Sequence, residues 1–398
     1  MASQGDFLGS LAQDYLSFAT TFSVLPTPGQ NFQNVLLFVG SGEAVASSGT
    51  LGTYFLPTSG LAPAVGTLYT ANQVTYTQQF NGPLLAWATE FFASGSVLSN
   101  LYVAIYDDAS TAGGTVFPAA AVTALTTQYT AYKMYAYFKL ITQITNTAAQ
   151  LALAALCQPD NTLLSQCWIA SNDANLLSAG GSTIQAQAKN ASYDPVIIYD
   201  ANTVVVGTGT SIVNGALIQL GLSLANANGT GTAVGNALDM LATGLIGPSG
   251  AGNTSLTFAQ MTTLTGIYVG FFMYVGNTTG QVALRNARTV LNNLPPAQWV
   301  TCYVDYMTAV MTATYLTQGN RFKTNATYQA ILAGLMNYLS LFATIGRLSN
   351  LALTAPPFSQ IQTTSNGQTI TVPNAWQATF NDSVRNVSVN GTLYIAAS

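Results

Sequence analysis

The sequence predicts an α+β protein of several modules, with mixed sheets flanked by helices and an extended arm at each end. Three observations predict it. Short continuous apolar runs closed by glycine, such as "NVLLFVG" (Asn34 to Gly40), have the length and composition of strands buried on both faces. Other stretches, such as "NGPLLAWATEFFASG", repeat apolar residues at the helical period. The last residues, "NVSVNGTLYIAAS", place Val387, Val389, Leu393 and Ile395 in alternation with Ser388, Asn390, Thr392 and Tyr394, the pattern of a half-buried strand.

Taken in order, residues 1–30 include "SVLPTPGQNF" and carry no strong period, so they read as an extended arm. A module over 31–115 opens with the strand "NVLLFVG". Its helix has Pro83 in the first turn, Leu84, Leu85, Trp87, Phe91 and Phe92 along it, and Gly95 closing it; the strand "NLYVAIYDD" follows. Residues 116–255 form an outer region. There "QYTAYKMYAYFKLITQITNTAAQLALAAL" reads as helical, with Tyr129, Tyr132, Tyr135 and Phe138 on one face, either a docking stripe or a helix packed on its own sheet. "DPVIIYDANTVVVG" reads as a hairpin turning at Asp200-Ala201-Asn202, and two short helical patterns lie near Val213 to Leu224 and Gly235 to Leu245. The module over 256–385 starts with the strand "GIYVGFFMYVG" from Gly266, then a helix "TGQVALRNARTVL". "WVTCYVDYMTAVMTATYL" is a strand running into a helix. A long helix follows, with Ile331, Leu335, Leu339 and Phe342 on one face, and after Pro356-Pro357 come "QTITVP" and "AWQATFND". Residues 386–398 are the C-terminal strand arm.

Composition narrows the function. The charged fraction is 6%, where soluble domains average roughly 25%. A surface of Thr, Ser, Asn, Gln, Gly and Tyr suits a subunit largely covered by other protein. With nine Lys plus Arg and a net charge of −4, no basic stripe exists to neutralise phosphates, so nucleic acid is not an expected partner. The first basic residue is Lys133, which gives no charged start to a secretory signal. Apolar stretches are interrupted too often for a bilayer span, so no membrane insertion is expected. Cys157, Cys167 and Cys302 form no CxxC motif; the first two either close a short loop or are buried thiols. Sequons recur from Asn190 to Asn390, as expected of a chain rich in Asn and Thr.

No enzyme chemistry is evident. There is no histidine, which removes Ser-His and Cys-His activation and the usual metal ligand. Asp107 and Asp108 are neighbours on a strand and point to opposite faces. "VGSGEAV" begins like a dinucleotide fingerprint but has Val45 where the third glycine belongs, and "GPSGAGNT" puts Asn253 at the lysine position of a phosphate loop. No catalytic, metal or cofactor-binding residue and no cofactor is expected. The scarce cations Arg285 and Arg288, one turn apart on the expected helix, and Arg385 before the last strand are candidates for setting register between subunits. Solvation of helix ends is the other reading.

The order of elements resembles the tail sheath proteins of contractile bacteriophages and related contractile injection machines. The likeness is carried by "NVLLFVG", "YTANQVTYTQQFNGPLLAWATEFFASG" and "NLYVAIYDD", by "TLTGIYVGFFMYVGNTTGQVALRNARTV", and by "WVTCYVDYMTAVMTATYL" with "PNAWQATFNDSVRNVSVNGTLYI", about half of the chain. The low charge departs from a family picture in which many ion pairs hold sheath to tube. The resemblance implies a virion subunit assembled in the host cytoplasm, polymerising with itself around a tail tube protein and meeting baseplate and tail terminator proteins. It implies terminal arms that pair with sheets of neighbouring copies. Val387, Val389, Leu393, Tyr394 and Ile395 are then the strand-pairing residues, and Arg285, Arg288 and Arg385 candidates for subunit or tube contacts. A static capsid or surface-layer lattice protein is the alternative, and a sugar-binding protein, on the strength of Trp, Tyr and Asn, a third.

Overall fold

The computed structural model describes residues 16–17, 34–41, 54–56, 67–93, 100–106, 138–142, 146–157, 166–200, 215–217, 220, 256–274, 282–285, 288–295, 325–344, 346, 348–360, 370–371 and 375–380. Its centre is an eight-stranded mixed sheet. β2 (Val35–Gly40), with every residue buried, lies between β4 (Leu101–Tyr106) and β5 (Phe138–Ile141) and is parallel to both. β6 (Gln166–Ser171), β7 (Val196–Tyr199) and β8 (Gly270–Tyr274) continue the parallel run. β3 (Leu68–Ala71) and β9 (Val282–Arg285) close the two rims antiparallel, giving the order β3-β4-β2-β5-β6-β7-β8-β9. This one sheet takes strands from each of the stretches 31–115, 116–255 and 256–385.

Parallel strands require crossovers, and the crossovers cover both faces. Alternate residues of each strand therefore enter two separate cores. Val35, Leu37 and Val39 join α2 (Gly82–Ala93) and α6 (Asn325–Thr344) on one face. Leu36 and Phe38 meet α3 (Thr147–Leu156), α4 (Ile184–Asn190) and α5 (Phe258–Gly266) on the other. Phe271 and Phe272 are split between the two cores in the same way.

α2 buries Leu84, Trp87, Ala88, Phe91 and Phe92, one stripe at the helical period. It has no acidic residue in its first turn and no basic residue in its last. Each large side chain so buried stabilises by about 1.5–3 kcal/mol, well above the few tenths available from surface pairs, so packing holds this helix. Beside it a short helix, α1 (Tyr76–Gln79), leads into an aromatic group: Phe55 sits 4.7 Å from Tyr69 and edge-on to Phe80 at 5.8 Å. α6 buries Tyr328, Leu332, Leu335, Leu339 and Phe342, so the expected face is displaced slightly, leaving Ile331 half-buried.

Four sequence readings are corrected. "FKLI" is a strand, because both of its edges are paired and all four residues are buried; among the described residues a helix follows from Thr147, where the Asn146 side chain accepts from the Ala149 amide. "VIIY" does not pair with the following residues, since parallel strands occupy both of its sides. "VALR" is an antiparallel rim strand, where the two helical arginines were expected. Gly266 ends a helix, and the strand expected from that point starts at Gly270. The stretches 111–137, 221–255, 296–324 and 381–398 lie outside the described residues, as do Asp107, Asp108 and Cys302.

Two glycines are demanded by geometry. A Cβ on Gly215 would stand 2.6 Å from the Phe272 ring and 2.9 Å from Asp200 Oδ2, so glycine permits the close approach of helix to sheet. Gly346, at φ +77°, turns α6 into β10 (Leu348–Leu353), with its amide bonded to the Ala343 carbonyl at 3.0 Å. Nothing lies within 4 Å of a Cβ at Gly346. Gly346→Ala is therefore expected to cost about 1–2 kcal/mol through backbone strain alone, read as a lower midpoint in urea with an unchanged slope.

Candidate functional site

With function expected to lie in contacts between copies, the rims are the natural place to look. Among the described residues β3 and β9 each pair on one side only, which leaves backbone donors and acceptors along two edges. Two small sheets add further edges. β10 pairs antiparallel with β12 (Trp376–Phe380), with an irregularity between Ser349 and Ala352 where Asn350 adopts φ 52° and donates to Thr379 Oγ1 at 3.2 Å. Leu348 is buried in the core under α6, and Leu351 and Trp376 pack against it, so this pair is seated on the body. Tyr328 of α6 donates to the Pro356 carbonyl at 2.6 Å and holds the Pro-Pro segment beside it. β1 (Leu16–Ser17) pairs in parallel with β11 (Ile370–Thr371), so two residues of the expected N-terminal arm join a strand of the same chain.

Arg285 is on β9 opposite Phe271, and Arg288 follows in the next turn, donating to the Asn292 carbonyl and Oδ1. They do not share a helical face. Val387, Val389, Leu393, Tyr394, Ile395 and Arg385 lie outside the described residues.

Sequence reasoning missed the group that fixes this rim. Asp194 accepts from the Leu291 amide at 2.8 Å through Oδ1 and from Asn293 Nδ2 at 2.8 Å through Oδ2. Val290 donates to the Pro195 carbonyl at 3.0 Å, and Thr289 bridges to Val196. One carboxylate thus clamps the turn after β9 onto β7. No local signal announces a contact across so long a sequence interval. α5 did carry a signal: Thr257 and Gln260 form a complete capping box. Its first residue, Phe258, is 82% exposed, and Val74, after β3, is 75% exposed. Both expose apolar surface.

Ionisable groups are also found inside. Lys139 is buried in β5 with Cys167 as its in-register neighbour on β6. Burial pushes its ammonium below the ordinary 10.5, opposed by the charges of Cys157 and Cys167. Burial pushes the Cys167 thiol well above 9.0, helped by a hydrogen bond to Cys157 and opposed by Lys139. Tyr199 is raised first by burial, then by the charges of Asp200 and Asp173. Among the described residues no three His, Cys, Asp or Glu side chains are grouped to hold a metal ion, and no helix is long and apolar enough to cross a membrane.

No family model and no curated protein matches the chain. Among solved structures it is similar to a chain in the cryo-EM structure of the anti-feeding prophage (AFP) baseplate, 6-fold symmetrised, at 13% identity and a TM-score of 0.61. The similarity covers 96% of this chain and 98% of that one. At that identity what is shared is the fold, from end to end.

Asp194→Ala should cost about 1–3 kcal/mol, since it leaves two donors without their acceptor; Asp194→Asn should cost less, and urea melts of the three chains check the order. Lys139→Met should stabilise at neutral pH, because it removes an ionisable group whose charged form burial disfavours. The unfolded chain binds the proton more readily than the folded one between the depressed value and 10.5, so wild-type stability climbs with pH across that window. The variant lacks that climb, and its advantage should shrink as pH approaches 10.5; parallel pH profiles would contradict the assignment.

Proposed function

We propose that this chain is a structural subunit of a contractile tail or injection apparatus, and more narrowly a sheath subunit that polymerises into a helical tube around an inner tube. The observation that carries the reading is the fold match, with 96% of this chain and 98% of its counterpart aligned. The narrower reading rests on the likeness of the first, middle and last sequence stretches to sheath proteins. A charged fraction of 6% supports a surface meant to be covered.

In this reading the chain performs no catalysis. Val387, Val389, Leu393, Tyr394 and Ile395 form a donated strand, and an exposed edge such as that of β3 or β9 receives it. The N-terminal arm, although Leu16 and Ser17 pair with β11 of the same chain, makes a second link through its other residues. Strand addition is directional and survives bending of the linker, so a lattice can pass between two packings without coming apart. Contraction is driven by the difference in contact energy between those packings, with no nucleotide involved. Partners would be further copies, a tail tube protein, and baseplate and terminator proteins, within a virion-like particle.

A second reading, a baseplate component, is favoured because the similar chain comes from a baseplate assembly. Electron microscopy of the purified chain separates them, because sheath gives hollow helical tubes and a baseplate component gives closed rings or none. Deleting residues 386–398 is expected to leave a folded monomer that no longer forms tubes; tubes of normal length from the truncated chain would remove the donated strand from the proposal.

A further inference from the structure

One contact in the fold works against linkage between copies. β1 pairs in parallel with β11 of the same chain, Leu16 beside Ile370 and Ser17 beside Thr371. Among the described residues the pair is a sheet of its own, joined neither to the eight strands of the body nor to β10 and β12. Both strands are two residues long, where every other described strand has four to six. Its halves come from opposite ends of the chain, so closing it orders a long loop for few hydrogen bonds. Such a pair stands at the low-stability end of a fold and opens without unfolding the rest. β11 itself is tethered. It lies on the connection between β10 and β12, whose neck is closed by the Thr354 amide donating to the Ala375 carbonyl at 3.1 Å. Tyr328 of α6 holds Pro356 just inside that neck, and Leu348 and Trp376 seat the two strands on the core. A strand paired with β11 is therefore tied to the body of its own chain.

We propose that the β1–β11 pair is an autoinhibitory latch, closed in the free chain and opened before the N-terminal arm links to a neighbouring copy. The proposal rests on the reading of this chain as an assembling subunit. With β1 released, residues 1–33 can span at most about 110–120 Å from β2. With β1 held, residues 18–33 are tied at both ends and the free end shrinks to residues 1–15, at most about 50–55 Å. The latch thus withdraws more than half of the arm from any neighbour. Opening it costs the hydrogen bonds of one short ladder, and contacts that the arm gains on another copy offset that cost. A lone chain has no such contacts and stays latched. Growth on an existing assembly is then favoured over the start of a new one.

The test locks and unlocks the pair in the full chain. Leu16→Cys with Ile370→Cys places thiols on partner residues of strands about 4.8 Å apart, a separation that a disulfide spans. Trypsin locates the bond, since residue 16 falls in the fragment ending at Lys133 and residue 370 in the one from Leu348 to Arg385. The oxidised chain is expected to be linked within one copy and to assemble about tenfold more slowly by light scattering, with dithiothreitol restoring the wild-type rate. Ile370→Pro together with Thr371→Pro removes the amide donors of β11 and should speed assembly severalfold. Assembly of the oxidised chain at the reduced rate, a bond formed between two copies, or no gain from the prolines would each overturn the latch alone. Wild-type, reduced and proline-bearing chains that all stay monomeric would overturn the assembling-subunit reading and the latch with it. A wild type that stays monomeric while the proline-bearing chain assembles would support both.

Discussion

Everything in the molecule depends on β2 being paired on both sides. Its six residues hydrogen-bond to β4 along their full length and to β5 along most of it, and all are buried. A strand in that position exposes neither edge nor face to water. It forces the chain to leave in one direction for β4, to return across the sheet for β5, and to cover both faces with helices on the way. The parallel strands β4-β2-β5-β6-β7-β8 then follow a doubly wound order, with the switch of direction at β2. In such sheets the crevice at that point is where ligands are commonly held. Here Gly40 ends β2, with Ser41 next, and opens the glycine pattern that lacks its third member.

The centre of this arrangement was legible because its strands are continuous apolar runs and α2 repeats at the helical period. Where the reading failed, the local pattern was ambiguous and distant pairing decided. "FKLI" follows a tyrosine-rich stretch of helical spacing, yet β2 and β6 claim both of its edges. "VALR" suits a helix by propensity, but β8 needed a partner on its outer side and "VALR" supplies it. The hairpin at "VIIY" was inferred from the residues that follow, whereas the side it needed belongs to β8, far along the sequence. Of the candidate site, composition gave the character of the surface. The Asp194 clamp and the Lys139-Cys167 neighbourhood depend on strand order, which no local window contains.

The architecture accounts for how a chain so poor in charge forms a defined body. Two cores on opposite faces of one sheet fix register, since sliding any inner strand by one residue would exchange its two sets of side chains. Rim strands antiparallel to the sheet, together with a small sheet seated on the body, leave places where backbone can meet backbone. Shape and hydrogen bonding can then specify a neighbour without ionic complementarity.

The helix ends carry a last implication. In α2, α3, α5 and α6 neither the first turn nor the last holds a compensating ion, and α4 has only Lys189. These helix ends thus offer dissolved electrolyte little to screen. The cohesion of the described core should depend little on ionic strength and should grow in sulfate or sucrose, which are excluded from protein surfaces.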